Sequence, residues 1–295
     1  MKFAPKSINT FHFRDCTFDP LNARAIFRYS LDEQWHFQEE LHFPNFNKSL
    51  SEVETSALQH ALRYLHLMLG ISYFKTSVPE RIEVHTGALS KEAADFFNKA
   101  YEKGLGEFAY TNGLSLKGKI QFPYDTQIAL TPHPLILEKR KAVPLGGGKD
   151  SLVSLELLRS SSSDSSDLCT LTMGDWSVIR DIVPLTNVPH LTIMRRVDPL
   201  LIELNTMGAL NGHVPFSAML AFLLPVCGVL YGFDTAIMSQ ERSANVGSIV
   251  EDGSEVNHQY SKSFEFEQDF ASFVKAAIFA NFSYFSLLRP LSELH

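Results

Sequence analysis

The sequence predicts an α/β protein, with an N-terminal α+β domain over residues 1–135 and a parallel-sheet domain over residues 136–295. Three observations carry this. Apolar residues alternate between residues 10 and 43, as in antiparallel strands. Beyond Thr131-Pro132-His133-Pro134 the pattern becomes strand, helix, strand, helix, which implies a parallel sheet wrapped by helices. The 295 residues, 45% hydrophobic and 20% charged, suffice for two domains and a sizeable core.

In chain order, Phe11 and Phe13, then Ile26, Phe27 and Tyr29, then Phe37, Leu41 and Phe43 mark three strands, with Asp19-Pro20-Leu21-Asn22 as a turn. Leu58, Leu62, Leu65 and Leu69 recur at helical spacing; Ser49 or Ser51 caps that helix and Gly70 lies near its end. Arg81 to His85 reads as a strand. Ser90 caps a helix carrying Ala94, Phe97 and Tyr101, ended by Gly104. The second half offers strands at Lys139–Leu145, Leu168–Met173, His190–Met194 and Ala236–Ser239. Helices are expected at Leu152–Leu158 and Phe216–Leu230, and Ser160–Ser166 is a polar low-complexity loop.

Composition excludes several classes. The net charge of -7 argues against a nucleic-acid partner. Cys16, Cys169 and Cys227 lie far apart, with neither zinc spacing nor a disulfide framework, which suits a reducing cytoplasm. The start, MKFAPKSINTFHFRD, lacks a signal-peptide apolar core. Val214–Phe233 is the most apolar stretch, but Pro215 and Pro225 interrupt it, so a buried core helix is expected rather than a membrane span.

In a parallel sheet, ligands collect beyond the carboxyl ends of the strands. Gly146-Gly147-Gly148 sits there, between a strand and a helix. Glycines let the backbone approach a ligand, and the N–H groups at a helix start favour an anion. Lys149 adds charge, Asp150 suits magnesium or a helix cap, and Ser151 brings a hydroxyl. A plain glycine-rich turn before a capped helix is the alternative. Walker A is excluded, because Asp150 follows Lys149, and G-x-G-x-x-G is excluded by Ser151. What remains, Gly147, Gly148, Asp150 and Ser151, resembles the S-G-G-x-D-S loop of the ATP pyrophosphatases, with Gly146 where that pattern has serine.

Three further polar segments follow: Leu210–Ser217 with His213, Ser239–Asn245 with Glu241 and Arg242, and Val256–Ser263 with His258 and Lys262. Taken singly these read as a satisfied histidine near a helix start, a surface ion pair and an ordinary polar loop with a solvated lysine; in one domain they favour a polar site. In order, GGGKDS, NGHVPFSA, ERSAN and VNHQYSKSFEFE resemble the MurL family of ATP-dependent UDP-N-acetylmuramoyl-L-alanyl-L-glutamate epimerases, most strongly from Val143 to Glu267.

The resemblance implies an adenine-nucleotide alpha-hydrolase-like (PP-loop) domain over residues 136–295, shortened at its C-terminus relative to the family. It implies ATP and Mg2+ as cofactors and a UDP-MurNAc-dipeptide as substrate, in peptidoglycan precursor synthesis. Gly146, Gly147, Gly148, Lys149 and Ser151 are then expected around pyrophosphate, and Asp150 at the magnesium ion, with Glu241 second. Thr172, Met173, Gly174 and Asp175 are expected to border the adenosine. His213, His258 and Lys262 are the acid/base candidates, and Arg242 the holder of a carboxylate or phosphate. Rival readings are another ATP pyrophosphatase, either an amide ligase or a tRNA-modifying enzyme, and a nucleotide-binding protein without turnover.

Overall fold

The computed structural model describes residues 3–161, 167–245, 249–251, 254–256 and 259–292. Strands β1 (Thr10–Asp19), β2 (Arg24–Leu31) and β3 (Trp35–His42) form the expected antiparallel meander. Asp19 shapes the first turn by accepting from the N–H groups of Leu21 and Asn22 at 3.1 and 3.2 Å. Helix α1 (Glu52–Leu69) starts at Ser51, which forms a capping box with Glu54. Short α2 (Ile71–Phe74) leads to β4 (Arg81–Val84), which pairs with β1 in parallel rather than antiparallel fashion. Ser90 caps α3 (Lys91–Gly104), and α4 (Gly106–Thr111) follows.

The second half alternates as expected: β5 (Lys141–Pro144), α5 (Lys149–Ser161), β6 (Leu168–Met173), α6 (Ser177–Thr186), β7 (His190–Arg196), α7 (Pro199–Met207), α8 (Phe216–Tyr231) and β8 (Thr235–Met238). A small hairpin, β9 (Ile249–Glu251) and β10 (Ser254–Val256), precedes α9 (Phe264–Phe273) and β11 (Ser283–Ser286). Helices α6 and α7 and strand β11 carry no signal that the sequence reading used. Strand β11 is only four residues long, and both helices pack one shallow face.

Nine strands form one mixed sheet, in the order β11-β8-β5-β6-β7-β3-β2-β1-β4. Neighbours from β11 to β7 are parallel, and β7 meets β3 antiparallel. The strands of residues 1–135 and those of residues 136–295 are therefore the two halves of one continuous sheet. One large apolar core, with Phe11, Phe13, Phe27, Phe97 and Phe222 fully buried, spans both halves, and Leu155, Leu168 and Val188 form a small separate cluster. Each such ring contributes about 1.5–3 kcal/mol. Helix α8 is apolar nearly all round and lies buried against α1, as a core helix must. Pro225 is accommodated within it. No described helix is long and apolar enough to cross a membrane.

A buried ion pair crosses the seam. Arg195 on β7 donates from Nε and Nη2 to the two carboxylate oxygens of Glu39 on β3, at 2.6 and 3.1 Å. Nη2 also reaches Ser72 Oγ at 2.9 Å, and Nη1 lies 3.3 Å from Met219 Sδ. Glu39 is fully buried. Beneath the meander, His66 is buried among Phe13, Phe27 and Tyr29, with Nε2 3.0 Å from the Arg28 carbonyl. Burial pulls its pKa down from 6.5 to about 3, so the ring is neutral and Nε2 is the donor.

Arg195→Met strands the Glu39 charge, and urea unfolding is expected to show a loss of about 3–5 kcal/mol, most of it recovered in the Glu39→Met/Arg195→Met double variant. His66 gives a second expectation. Its folded pKa is below its unfolded one, so its contribution is fully present above about pH 6.5 and is lost as pH falls toward 3. Between pH 7 and 5, His66 alone should cost about 2 kcal/mol of stability. The His66→Gln variant should lack that share of the slope.

Candidate active site

The chain leaves β5 for β6 and β7 on one side, then returns to place β8 on the other side of β5. The loops after β5 and β8 therefore diverge, and a crevice opens beyond their carboxyl ends. A cleft of about 820 Å³ lies there. Gly146 and Gly148 line it from the loop after β5, Asp150 and Ser151 from the first turn of α5, Thr172 and Met173 from the end of β6, and Trp176 from the loop that follows. Phe216 and Ser217 come from the start of α8, Gln240, Glu241 and Ser243 from the loop after β8, and Gln259 and Lys262 from the turn before α9.

The three glycines have different physical reasons. Gly147 has φ +79°, and a Cβ there would stand 2.5 Å from Val178 Cγ1 on α6, so only glycine fits. A Cβ on Gly146 or Gly148 would meet nothing within 4 Å, so at those two positions the space belongs to the cleft. Ser151 is buried and its hydroxyl donates to the Gly148 carbonyl at 3.0 Å, which holds the loop onto the first turn of α5. Asp150 is half-buried beside it, and Lys149 is exposed.

At the end of β6, Thr172 is buried against the cleft, and just beyond the strand Gly174, with φ +101°, turns the chain away. The Trp176 indole N–H donates to the Met173 carbonyl at 3.4 Å, and the ring stands 55% exposed at the rim. Phe216, 40% exposed, is a second aromatic wall. Asp175 pairs with Arg180 at 2.7 Å on the exposed side and does not line the cleft.

Of the expected site residues, the structure gathers Gly146, Gly148, Asp150, Ser151, Thr172, Glu241 and Lys262 around one cleft. Gly147 and Gly174, at positive φ, turn their loops without lining it, and Lys149, exposed at the start of α5, does not line it either. Arg242 is exposed, opens the short turn Arg242–Asn245 and is not a lining residue. His213 is not brought in either. It lies 3.9 Å from Glu107 on α4, and Lys75 Nζ, which donates to Asn211 Oδ1 at 2.6 Å, draws its loop toward the N-terminal half. His258 lies outside the described residues.

Sequence reasoning missed Arg289 and gave Glu267 no role. Arg289 donates from Nε and Nη2 to Glu267 Oε2 at 2.9 and 2.7 Å, from Nη1 to the Glu241 carbonyl at 3.0 Å, and from Nη2 to the Lys262 carbonyl at 2.9 Å. Glu267 Oε1 accepts from the Ser286 N–H at 3.0 Å. Both side chains are largely buried. One guanidinium thus positions the backbone of two lining residues against the end of β11. No local spacing signals a contact between residues this far apart in the chain. Glu241 and Lys262 consequently offer a carboxylate and an ammonium at the same wall, beside a loop whose open backbone suits an anion.

A family model described as the MurL N-terminal domain matches residues 2–287. The chain is 41% identical over 292 residues to a UDP-N-acetyl-alpha-D-muramoyl-L-alanyl-L-glutamate epimerase of Xanthomonas oryzae pv. oryzae, covering 99% of this chain and 64% of that protein. Proteins of the same name from Salinispora tropica and a Micromonospora species are 34% and 33% identical, covering 98% of this chain and 64% and 65% of their own lengths. The chain therefore spans just under two thirds of the length of these relatives. No solved structure matches it.

Gly147→Ala is expected to cost about 1–3 kcal/mol, because a side chain is forced into positive φ and onto Val178. Gly146→Ser, entering open space, should stay within about 0.5 kcal/mol of the parent. Urea unfolding of the two variants checks both values.

Proposed function

Because the chain belongs to the MurL N-terminal domain family, we propose that its switch-point cleft is the adenine-nucleotide site of an ATP- and magnesium-dependent epimerase. The substrate would be UDP-MurNAc-L-Ala-L-Glu, whose terminal glutamate is inverted to D-Glu in peptidoglycan precursor synthesis. The observation that carries the reading is the glycine loop: Gly146 and Gly148 present open backbone at the start of α5, beside half-buried Asp150. The strand order around β5 supports a PP-loop reading of residues 136–295.

The donor set fits the nucleotide. The loop and the α5 N-terminus would hold the phosphates, with Lys149 offsetting charge. Trp176 and Phe216 would flank the base, and Thr172 would lie below it. Magnesium, held at Asp150, would neutralise triphosphate charge and so favour departure of pyrophosphate.

The chemistry explains why an epimerase would use such a loop. Removing the α-proton beside a carboxylate builds a second negative charge next to the first, which like-charge repulsion opposes. Attack of that carboxylate on the α-phosphorus would displace pyrophosphate and give an acyl adenylate whose carbonyl is uncharged, its remaining negative charge lying on the phosphate. Its α-proton is then within reach of a side-chain base. Inversion needs proton removal on one face and return on the other. Glu241 and Lys262, which line the cleft and are held by Arg289 through their backbones, are the described residues we assign to the proton transfer on one face. Hydrolysis of the adenylate by water releases AMP and restores the carboxylate.

Incubation of the chain, and of a full-length relative, with ATP, magnesium and UDP-MurNAc-L-Ala-L-Glu tests this. D-Glu and equimolar AMP and pyrophosphate are expected from the active form, and Asp150→Ala should lower pyrophosphate release by about 100-fold or more, the scale of a lost transition-state charge stabiliser. An amide product would mean a ligase, and ATP binding without AMP would mean a non-catalytic role.

A further inference from the structure

Strands β1 and β4 pair in parallel at the sheet edge remote from the cleft, with His12 opposite Glu83. The ladder continues beyond β4, where the His85 N–H donates to the Phe13 carbonyl at 2.9 Å. Alternate residues of a strand share a face, so Glu83 and His85 point the same way. His12 joins them, while Phe11 and Phe13 point into the core.

Three donor atoms converge on that face. His12 Nδ1 lies 3.2 Å from Glu83 Oε2 and 3.1 Å from His85 Nε2, and His85 Nε2 lies 3.6 Å from Glu83 Oε2. Zinc binds imidazole nitrogen and carboxylate oxygen at about 2.0–2.1 Å in a tetrahedron, whose ligand-to-ligand edges are then about 3.3–3.4 Å. The three measured sides straddle that length. Two imidazole nitrogens aimed at each other and at one carboxylate leave lone pairs competing for few protons, whereas one divalent cation satisfies all three.

The surroundings agree. Glu33 lies 3.9 Å from His12 Nε2 on the far side of the ring, so Nδ1 is the nitrogen that faces Glu83 and His85. Arg14, the nearest cation, is engaged by Glu33. Glu83 and His85 are 50% and 41% exposed at their side chains, so the remaining face of the triangle opens to solvent. Among the described residues this is the one place where three such donors meet.

We propose that His12, Glu83 and His85 form a site for a zinc-class divalent metal ion. Its fourth position is open to water, and the bound ion ties edge strand β4 to β1. The site is independent of the nucleotide cleft, and its test does not depend on turnover.

Cobalt(II) is the probe, because tetrahedral nitrogen and oxygen coordination gives it strong visible absorption and octahedral coordination only faint bands. The purified chain is expected to take up one equivalent with strong bands, and zinc should abolish them. Glu83→Gln and His85→Ala, each checked for parental circular dichroism, should both lose the bands. Their affinity should fall by more than the about 10–100-fold that an outer-shell partner costs. Absence of strong bands in the parent, or bands persisting at parental affinity in either variant, would overturn the proposal.

Discussion

The Glu39–Arg195 pair is the constraint on which the architecture turns. Burying two charges costs several kcal/mol per ion unless geometry repays it. Here the pair is bidentate, and Ser72 and Met219 take further guanidinium contacts. Those four residues come from β3, α2, β7 and α8. The pair therefore fixes where an antiparallel meander meets a parallel sheet. The β3–β7 ladder itself is only three residue pairs long, Glu40↔Arg196 to His42↔Met194. So short a seam needs a directional lock, and the shared apolar core supplies the rest.

With β7 anchored, the position of the cleft follows from topology. The chain winds from β5 through β6 to β7, then returns across β5 to β8, and the diverging loops leave a crevice between them. The residues around it are then selected locally. Gly147 is dictated by backbone sign and by Val178, whereas Gly146 and Gly148 are dictated by the space in front of them. Arg289 draws the Glu241 loop, the Lys262 turn and, through Glu267, the end of β11 into one wall.

Much of this was legible before any coordinates. The alternation of residues 10–43, the Ser51 and Ser90 caps and the glycine loop are local signals, and local physics writes them into the chain. Asp150 and Ser151 open a helix, Thr172 ends a parallel strand, Glu241 follows one and Lys262 precedes a helix, and all five meet at the cleft. His213 and Arg242 share those sequence positions but point elsewhere. A loop's position constrains its backbone, while Lys75 and Glu107, distant in sequence, decide where the 211–213 segment faces. The Arg289–Glu267 link, the Glu39–Arg195 lock and the His12–Glu83–His85 triangle were invisible for the same reason. Each joins side chains brought together by pairing register or tertiary packing, which one sequence does not display.

A nucleotide seated in the switch-point cleft must touch the loops after β5 and β8 together, because those loops form its two sides. Hydrogen–deuterium exchange of the whole chain, with and without ATP and magnesium, reads that contact directly. Slowed exchange is predicted for peptides covering 146–151 and 239–244, with peptides covering 81–85 unchanged. Unaltered exchange in both loops at saturating ATP, or protection confined to another part of the sheet, would contradict a nucleotide site built on Gly146, Gly148 and Asp150.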